Sequence, residues 1–269
     1  APMPELPEVE TIVRGIKAEL IGKAILSADL FWARTLATPS SKKFKEQVQG
    51  QKIKDVTRRA KYLDFVLSDF HLLIHLRMSG DIMIRQSKTE PEKHDRLLLY
   101  LSNRKYLAFN DTRKFGRVWF TKDHESVFAK LGPEPLESGF TSKWLFENLG
   151  KRKRQLKPLL LDQAFIAWLG NIYTDECLHM AKLHPLAVSN DVTQKQSEAL
   201  REAIRSVLRE GIRRNGASID WVYSGGEYQN YFRVYDRAGE ACLVCGAEIQ
   251  KLTVGQRGTH VCPKCQRLR

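Results

Sequence analysis

Four cysteines near the C-terminal end, Cys242, Cys245, Cys262 and Cys265, carry the spacing C-x2-C-x16-C-x2-C. Each close pair fits a tight turn on which two thiolates can grip one ion. The stretch between the pairs is long enough for a hairpin that closes a tetrahedral sulfur site. Four thiolates suit Zn2+ and leave no open coordination position, so such an ion would be structural; two disulfides are the other arrangement the spacing permits. Between the pairs lies Val254-Gly255-Gln256-Arg257-Gly258-Thr259, a glycine-flanked turn that the sequence predicts to carry Arg257 at its tip. A metal-stapled hairpin is rigid where a short free loop is not, so the zinc would hold and the arginine would be presented.

Charge narrows the partner. The chain has 269 residues, with 44 Lys+Arg against 31 Asp+Glu, a formal charge of +13 and a pI near 9.6. That length fits two domains, each able to bury a core. A surplus of this size points to a polyanion, nucleic acid first, with an inert basic surface as the alternative. No apolar run reaches membrane-spanning length, and the first residues lack a signal-peptide layout, so no membrane role is expected. Cys177 stands alone in an apolar, helix-like stretch and reads as a small core residue. Together with the metal-type cluster it indicates a reducing cytoplasm.

These groups need a frame, and the chain reads as three blocks. Pro7 suits the first turn of a helix, Ile12, Val13, Ile16 and Leu20 give an apolar stripe, and Gly22 ends it. From Ile25 to about Lys122 the pattern becomes short alternating segments such as Tyr62-Leu63-Asp64-Phe65-Val66-Leu67, separated by turn residues, which predicts an antiparallel β-sandwich or barrel. Leu131-Gly132-Pro133-Glu134-Pro135 reads as an interdomain linker. Helical spacing returns over Leu145–Leu149, Lys157–Phe165, Ile172–Ala181 and Thr193–Arg214, the last opening on a Thr193-x-x-Gln196 capping box. The expected class is α+β and multidomain. Its predicted parts are a helix plus sandwich over 1–130, a linker over 131–144, a helical domain over 145–232, DNA-binding by the resemblance described below, and a zinc finger over 233–269.

Read together, Pro4-Glu5-Leu6-Pro7-Glu8-Val9-Glu10, the segment Leu169-Gly170-Asn171-Ile172-Tyr173-Thr174-Asp175-Glu176 and the four-cysteine finger resemble formamidopyrimidine-DNA glycosylase, of the Fpg/Nei family. The resemblance runs in order over essentially the whole chain. It implies a β-sandwich, a helix-two-turn-helix domain and a zinc finger around a DNA cleft, in a monomeric, bacterial-type enzyme of the nucleoid. The implied activity is removal of oxidised purines such as 8-oxoguanine and formamidopyrimidines, followed by nicking of the abasic site. Leu6-Pro7 favours this purine-directed branch over the pyrimidine-directed one.

By the same resemblance Pro4 is the amine that attacks C1′ of an extruded nucleotide, Glu5 the proton donor, and Glu8 a second acid near the same helix start. Helix-dipole compensation explains Glu8 equally well. Lys61 matches the lysine beside the lesion and its phosphate, and Arg257 the arginine that clamps the flanking phosphate during δ-elimination. Met78 and Phe115 would wedge into the gap left by the base, and Arg113 would hydrogen-bond the orphaned partner. Asn171 would cap a helix whose free N–H groups receive a phosphate. His94 and Arg152 match further DNA contacts. Ser218–Tyr235, with Trp221, Tyr223, Tyr228, Tyr231 and Phe232, covers the family's lesion-capping loop.

Two departures stand out. Ala1-Pro2-Met3 precede Pro4, so its nitrogen is an amide rather than a nucleophile. Trp168 occupies a turn where the resemblance calls for glycine, predicting strain or a bulky contact there. Both leave a damage-recognition protein that binds without cutting as the alternative to an active enzyme.

Overall fold

The first helix belongs to two cores at once. In a computed structural model describing residues 3–218 and 225–269, α1 (Leu6–Leu20) carries Pro7 in its first turn, and Gly22 turns the chain away at φ 81°. Val9, Val13 and Leu20 enter the core of the N-terminal half, while Leu6 enters the core of the helical half. The helix therefore sits at the seam between the halves.

The N-terminal half holds β1 (Ile25–Leu30), β2 (Leu36–Thr38), the helix α2 (Ser41–Val48), β3 (Ile53–Arg59), β4 (Tyr62–Leu67), β5 (His71–His75), β6 (Gly80–Gln86), β7 (Asp95–Leu101), β8 (Lys105–Asp111) and β9 (Arg117–Thr121). One sheet has the order β1-β7-β8-β6 and the other β2-β9-β5-β4-β3. Pairing is antiparallel except between β2 and β9. Phe65, Leu72, Leu99, Phe109 and Phe120 fill the space between the sheets. One helix interrupts the region expected to be strands and turns alone, and a second follows it. Ser40 Oγ accepts a hydrogen bond from Lys43 N, and Phe44 and Val48, four apart, are buried, which makes α2. Asp123 caps the short α3 (His124–Phe128) in the same way.

The Gly-Pro segment after α3 is a pinned strap rather than a free linker. The buried Glu134 takes hydrogen bonds from Arg58, Arg59 and the backbone N–H of Ala60. On its other side Gly132 N donates to Gln163 O at 2.8 Å, and a Cβ at Gly132 would stand 2.3 Å from Phe165 O. The strap thus fixes the β3–β4 turn against the helical half.

That half comprises α4 (Ser142–Gly150), α5 (Leu156–Leu161), α6 (Asn171–Met180) and α7 (Gln194–Arg213), the last opened by the Thr193 capping box. The helix expected over Lys157–Phe165 stops at Leu161. Asp162 takes an extended conformation, and its carboxylate accepts from Ala164 N and from Arg154, a local alternative to helical hydrogen bonding. Downstream, β10 (Gln250–Val254) and β11 (Arg257–Val261) form the hairpin. Its two-residue turn is Gly255-Gln256, both at positive φ. Arg257 is therefore the first residue of β11, opposite Val254, and not the tip. Among the described residues no helix is long and apolar enough to cross a membrane.

Candidate active site

Where α1, the β3–β4 turn, α6 and the hairpin meet, a cleft of about 360 Å³ is lined by Glu5, Lys61, Met78, Asn171, Tyr235 and Arg257 among others. The start of the chain and the four-cysteine finger, 252 positions apart at Glu5 and Arg257, face one space. Met3 lines it too, and Pro4, half-buried, lies between Met3 and Glu5.

Glu5 forms the floor. Its carboxylate accepts hydrogen bonds from Ile172 N at 2.9 Å and Tyr173 N at 3.2 Å, so it fills the N-terminus of α6. This corrects two expectations at once. The helix N–H groups nearest the cleft hold a carboxylate of the protein itself, and the N-cap residue is Gly170, not Asn171. Glycine is required at that place, since a Cβ there would stand 2.1 Å from Glu5 Cδ. Burial, and next the charge of Glu8, push the Glu5 carboxyl up to about 8 against those hydrogen bonds. Glu8 is buried rather than facing solvent. It accepts from Tyr173 Oη and Ala217 N, both at 3.2 Å, and burial raises it to about 7.

Lys61 sits in the β3–β4 turn just after Ala60, whose φ is 53°. It is buried, and burial lowers its ammonium well below the usual lysine value, while the charge of Glu5 acts in the opposite direction. Its ammonium lies 2.9 Å from the ring centroid of Trp168. Trp168 is buried with Ala60 and Ala167, and it is not among the positive-φ residues. The expected strained turn or bulky surface contact is thus replaced by an interior plate beneath Lys61.

The hairpin is bolted to α6 by groups that spacing did not reveal. Lys157, fully buried on α5, donates to Asp175 Oδ1 at 2.7 Å, Thr259 Oγ1 at 2.8 Å and Gly258 O at 3.0 Å. Asp175 Oδ2 in turn accepts from His260 N at 2.9 Å. Asn171 Nδ2 donates to Gly258 O at 3.1 Å, so its side chain braces β11 instead of capping α6. Glu176 accepts from the N–H groups of Arg233, Val234 and Tyr235 and fixes the approach to the finger. A lysine in a helical apolar stripe gives no sequence signal of this kind, because its partners lie 18 and about 100 positions away.

The cysteine sulfurs stand 3.9 Å apart for Cys242 and Cys265, and 3.4 Å for Cys245 and Cys262. A tetrahedral zinc site with Zn–S near 2.3 Å has edges of about 3.8 Å, so the four thiolates fit one structural Zn2+. Arg233 Nε donates to His179 Nδ1 at 3.0 Å, which leaves the other ring nitrogen, 3.4 Å from Cys242 Sγ, to carry the proton toward that sulfur. Cys177 is a buried thiol in the helical core, separate from this site. Asp64, His71 and His124 also place ligand atoms within 4.8 Å of one another. Their two imidazoles are stacked at 3.6 Å and 18°, so the ring lone pairs run side by side rather than to one ion.

Met78, Arg113 and Phe115 come together at the tips of the β5–β6 and β8–β9 loops. Arg113 Nη1 lies 3.8 Å from Met78 Sδ, its guanidinium 5.0 Å from the Phe115 ring centroid, and Phe115 is 50% exposed. Asp111 braces both loops from below, accepting from Ser79 Oγ and from Gly116 N. His94 lies beside this brace, its ring 3.4 Å from Arg96, whose Nε donates to Asp111 O. Arg152 is elsewhere: it donates to Asn148 O at the end of α4 and lies over Phe165. In the Ser218–Tyr235 stretch, Trp221 and Tyr223 fall outside the described residues. Tyr228 stacks on Tyr173 at 5.2 Å and Phe232 is buried, so these two are core, while Arg214 covers the exposed Tyr231.

Three family profiles match in order. They are the N-terminal domain of formamidopyrimidine-DNA glycosylase over residues 3–118, its H2TH domain over 131–222, and the zinc finger found in FPG and IleRS over 239–268. The chain belongs to the formamidopyrimidine-DNA glycosylase family. It is 46% identical to the formamidopyrimidine-DNA glycosylase of Protochlamydia amoebophila, with 98% of this chain and 100% of that one covered. Its identity to the Chloroflexus aurantiacus enzyme is 43%, with 98% of each covered. Among solved structures, MutM in complex with DNA containing carbocyclic 8-oxo-G superposes with a TM-score of 0.92 at 39% identity, over 98% of this chain and 100% of that one. The Lactococcus lactis Fpg complex with abasic-site DNA gives 0.92 at 38%, with the same coverage.

Proposed function

We propose that this protein is a bifunctional DNA glycosylase and abasic-site lyase that excises oxidised purines, 8-oxoguanine and formamidopyrimidines, from duplex DNA, acting as a monomer at the nucleoid. The observation that carries the reading is the meeting of Glu5, Lys61 and Arg257 on one cleft. A base must leave the stack before its sugar carbon can be reached. Met78 and Phe115 fill the gap it leaves, and Arg113 meets the orphaned base. Glu5, kept protonated near neutral pH by burial and by Glu8, gives up its proton as the glycosidic bond breaks. Lys61 holds the sugar and phosphate side of the extruded nucleotide. Arg257, exposed on β11, pairs with a flanking phosphate and steadies it as a leaving group. His94, Arg152 and Asn171 complete the DNA face, Asn171 through β11 and Arg152 through the end of α4. The helical segment 145–232 and the finger 233–269 clamp the duplex against the sandwich of 1–130, with the pinned strap of 131–144 between them.

Lyase chemistry needs a free amine. Once the Met3–Pro4 bond is hydrolysed, the Pro4 secondary amine attacks C1′ as the base departs. The C1′–O4′ bond then opens, O4′ taking up a proton, to give an iminium that accepts the electron pair left when a proton is lost from C2′; that pair returns to expel the 3′ phosphate. With Met3 still attached, the same cleft binds damage without cutting, and Met3 itself lines it. Two measurements decide between these. Excision of 8-oxoguanine from a duplex, run alongside mass spectrometry of the N-terminus, is expected to appear in preparations that begin at Pro4. No excision by such a preparation would overturn the enzymatic reading in favour of the binder. Arg257→Ala is expected to accumulate β-elimination product at the expense of δ product, and an unchanged ratio would remove Arg257 from this role.

A further inference from the structure

We propose that Trp168 is the positioning residue for Lys61, holding its side-chain nitrogen over the cleft floor by the face of the indole. This rests on the functional reading above and deepens it. Lys61 forms no hydrogen bond or ion pair among the described residues, so nothing polar orients its four-carbon chain. Among the described residues its aromatic partner is the Trp168 ring, 2.9 Å from the nitrogen to the centroid. The ring is held in place, being 3% exposed and packed in a cluster with Ala60, Ala167, Tyr62 and Leu131, with the His75 ring at 5.6 Å. Nor is the indole present for its N–H, which is buried without an acceptor. A buried donor left unpaired normally costs about 1–3 kcal/mol, so an ordinary filler would be better apolar. An indole face offers a cation the strongest aromatic attraction and so opposes the loss of charge that burial imposes on Lys61. Lys61 meanwhile faces Glu5 and Glu8 from α1, Arg77 from the β5–β6 loop and Arg257 from β11. Without the plate it would be free to move among these charges.

The test uses the zinc-loaded protein beginning at Pro4 and its Trp168→Phe and Trp168→Leu variants, with two readouts. The first is single-turnover excision of 8-oxoguanine against pH, with duplex affinity measured beside it. Trp168→Leu is expected to be about 10- to 30-fold slower with affinity within about twofold, and to shift the pH profile; Trp168→Phe, which keeps an aromatic face and the fold, is expected to recover most of the rate. The second is the Lys61 ε-methylene signal in lysine-labelled protein, assigned by its loss in Lys61→Arg. It is expected to be shifted upfield by the ring and to return toward the other lysines in Trp168→Leu. A Leu variant as fast as the wild type, a Phe variant as slow as Leu, or a Lys61 signal that Trp168→Leu does not move would each overturn the proposal. If the wild type excises nothing, the functional reading fails, and the resonance still decides whether Trp168 holds Lys61.

Discussion

Glu5 and Lys61, at the floor of the cleft, and Lys157, in the bolt behind it, are withdrawn from water, whereas Met78, Arg113 and Phe115, at its rim, stand on loop tips. The two regions are built by opposite means. On the floor, burial shifts protonation: it raises Glu5 and lowers Lys61 and Lys157, so groups that ordinarily carry charge are moved toward neutrality. At the rim nothing is desolvated in advance, and order comes from a buried brace at Asp111 beneath loops with left-handed residues at Arg77 and Lys114. Proton and bond chemistry needs an environment made before substrate arrives. A wedge needs only to be stiff, because the duplex supplies its desolvation. Stability and reactivity should therefore be coupled on the floor and separate at the rim.

The sharpest way to break that contrast is Lys157→Met. It leaves Asp175 buried without its cation, and removing one member of a buried pair costs about 3–5 kcal/mol. Denaturant unfolding should register the loss together with a loosened hairpin, and a change under about 1 kcal/mol would show the network to be ornamental. Gly170→Ala drives a methyl into Glu5 and is expected to slow excision by about 100-fold, the scale of an ångström's misplacement at a reacting group. Gly150→Ala, with nothing within 4 Å of the new methyl, is the silent control.

The carboxyl pair sharpens the comparison through pH. Glu5 binds its proton more tightly in the folded protein, up to about 8 against an ordinary value of 4.5. Between those values the unfolded chain has lost a proton that the native one keeps, so stability falls as pH rises from about 4.5 to 8 and levels off above. Glu5→Gln should flatten that fall by about 1–3 kcal/mol, read from unfolding at several pH values. A slope as steep as the wild type's would place the titration elsewhere. At the rim, Phe115→Ala and Met78→Ala should leave stability within about 0.5 kcal/mol while weakening lesion-duplex binding by about 1–3 kcal/mol, the worth of a stacked base. Rim variants that unfold the protein would erase the distinction.

Much of this was legible in the sequence, for reasons that particular residues make plain. The finger announces itself because its four ligands come in two local pairs. Pro7, the Thr193 capping box and the alternation in Tyr62–Leu67 are likewise local signals, and all three elements formed. The helix α2 was equally local, through Ser40, Phe44 and Val48, but its eight residues were hidden among strands. What stayed hidden were partnerships across the chain: Glu5 filling α6, Lys157 reaching β11, Glu134 holding the β3–β4 turn. Trp168 misled for the same reason, since a residue two before Gly170 reads as surface turn until Lys61, 107 positions earlier, is placed on its face.

The central claim is that the chain's amino end and its zinc-held hairpin serve the same extruded nucleotide. Borohydride reduction of the protein on an abasic duplex, followed by peptide mapping of the cross-linked residue, tests it most directly. The expected result is a single adduct on Pro4, in chains that begin there, which still forms in Arg257→Ala but gives a product lacking δ-elimination. An adduct mapping outside the cleft, or abundant duplex binding by Pro4-initiated chains with no adduct at all, would contradict it.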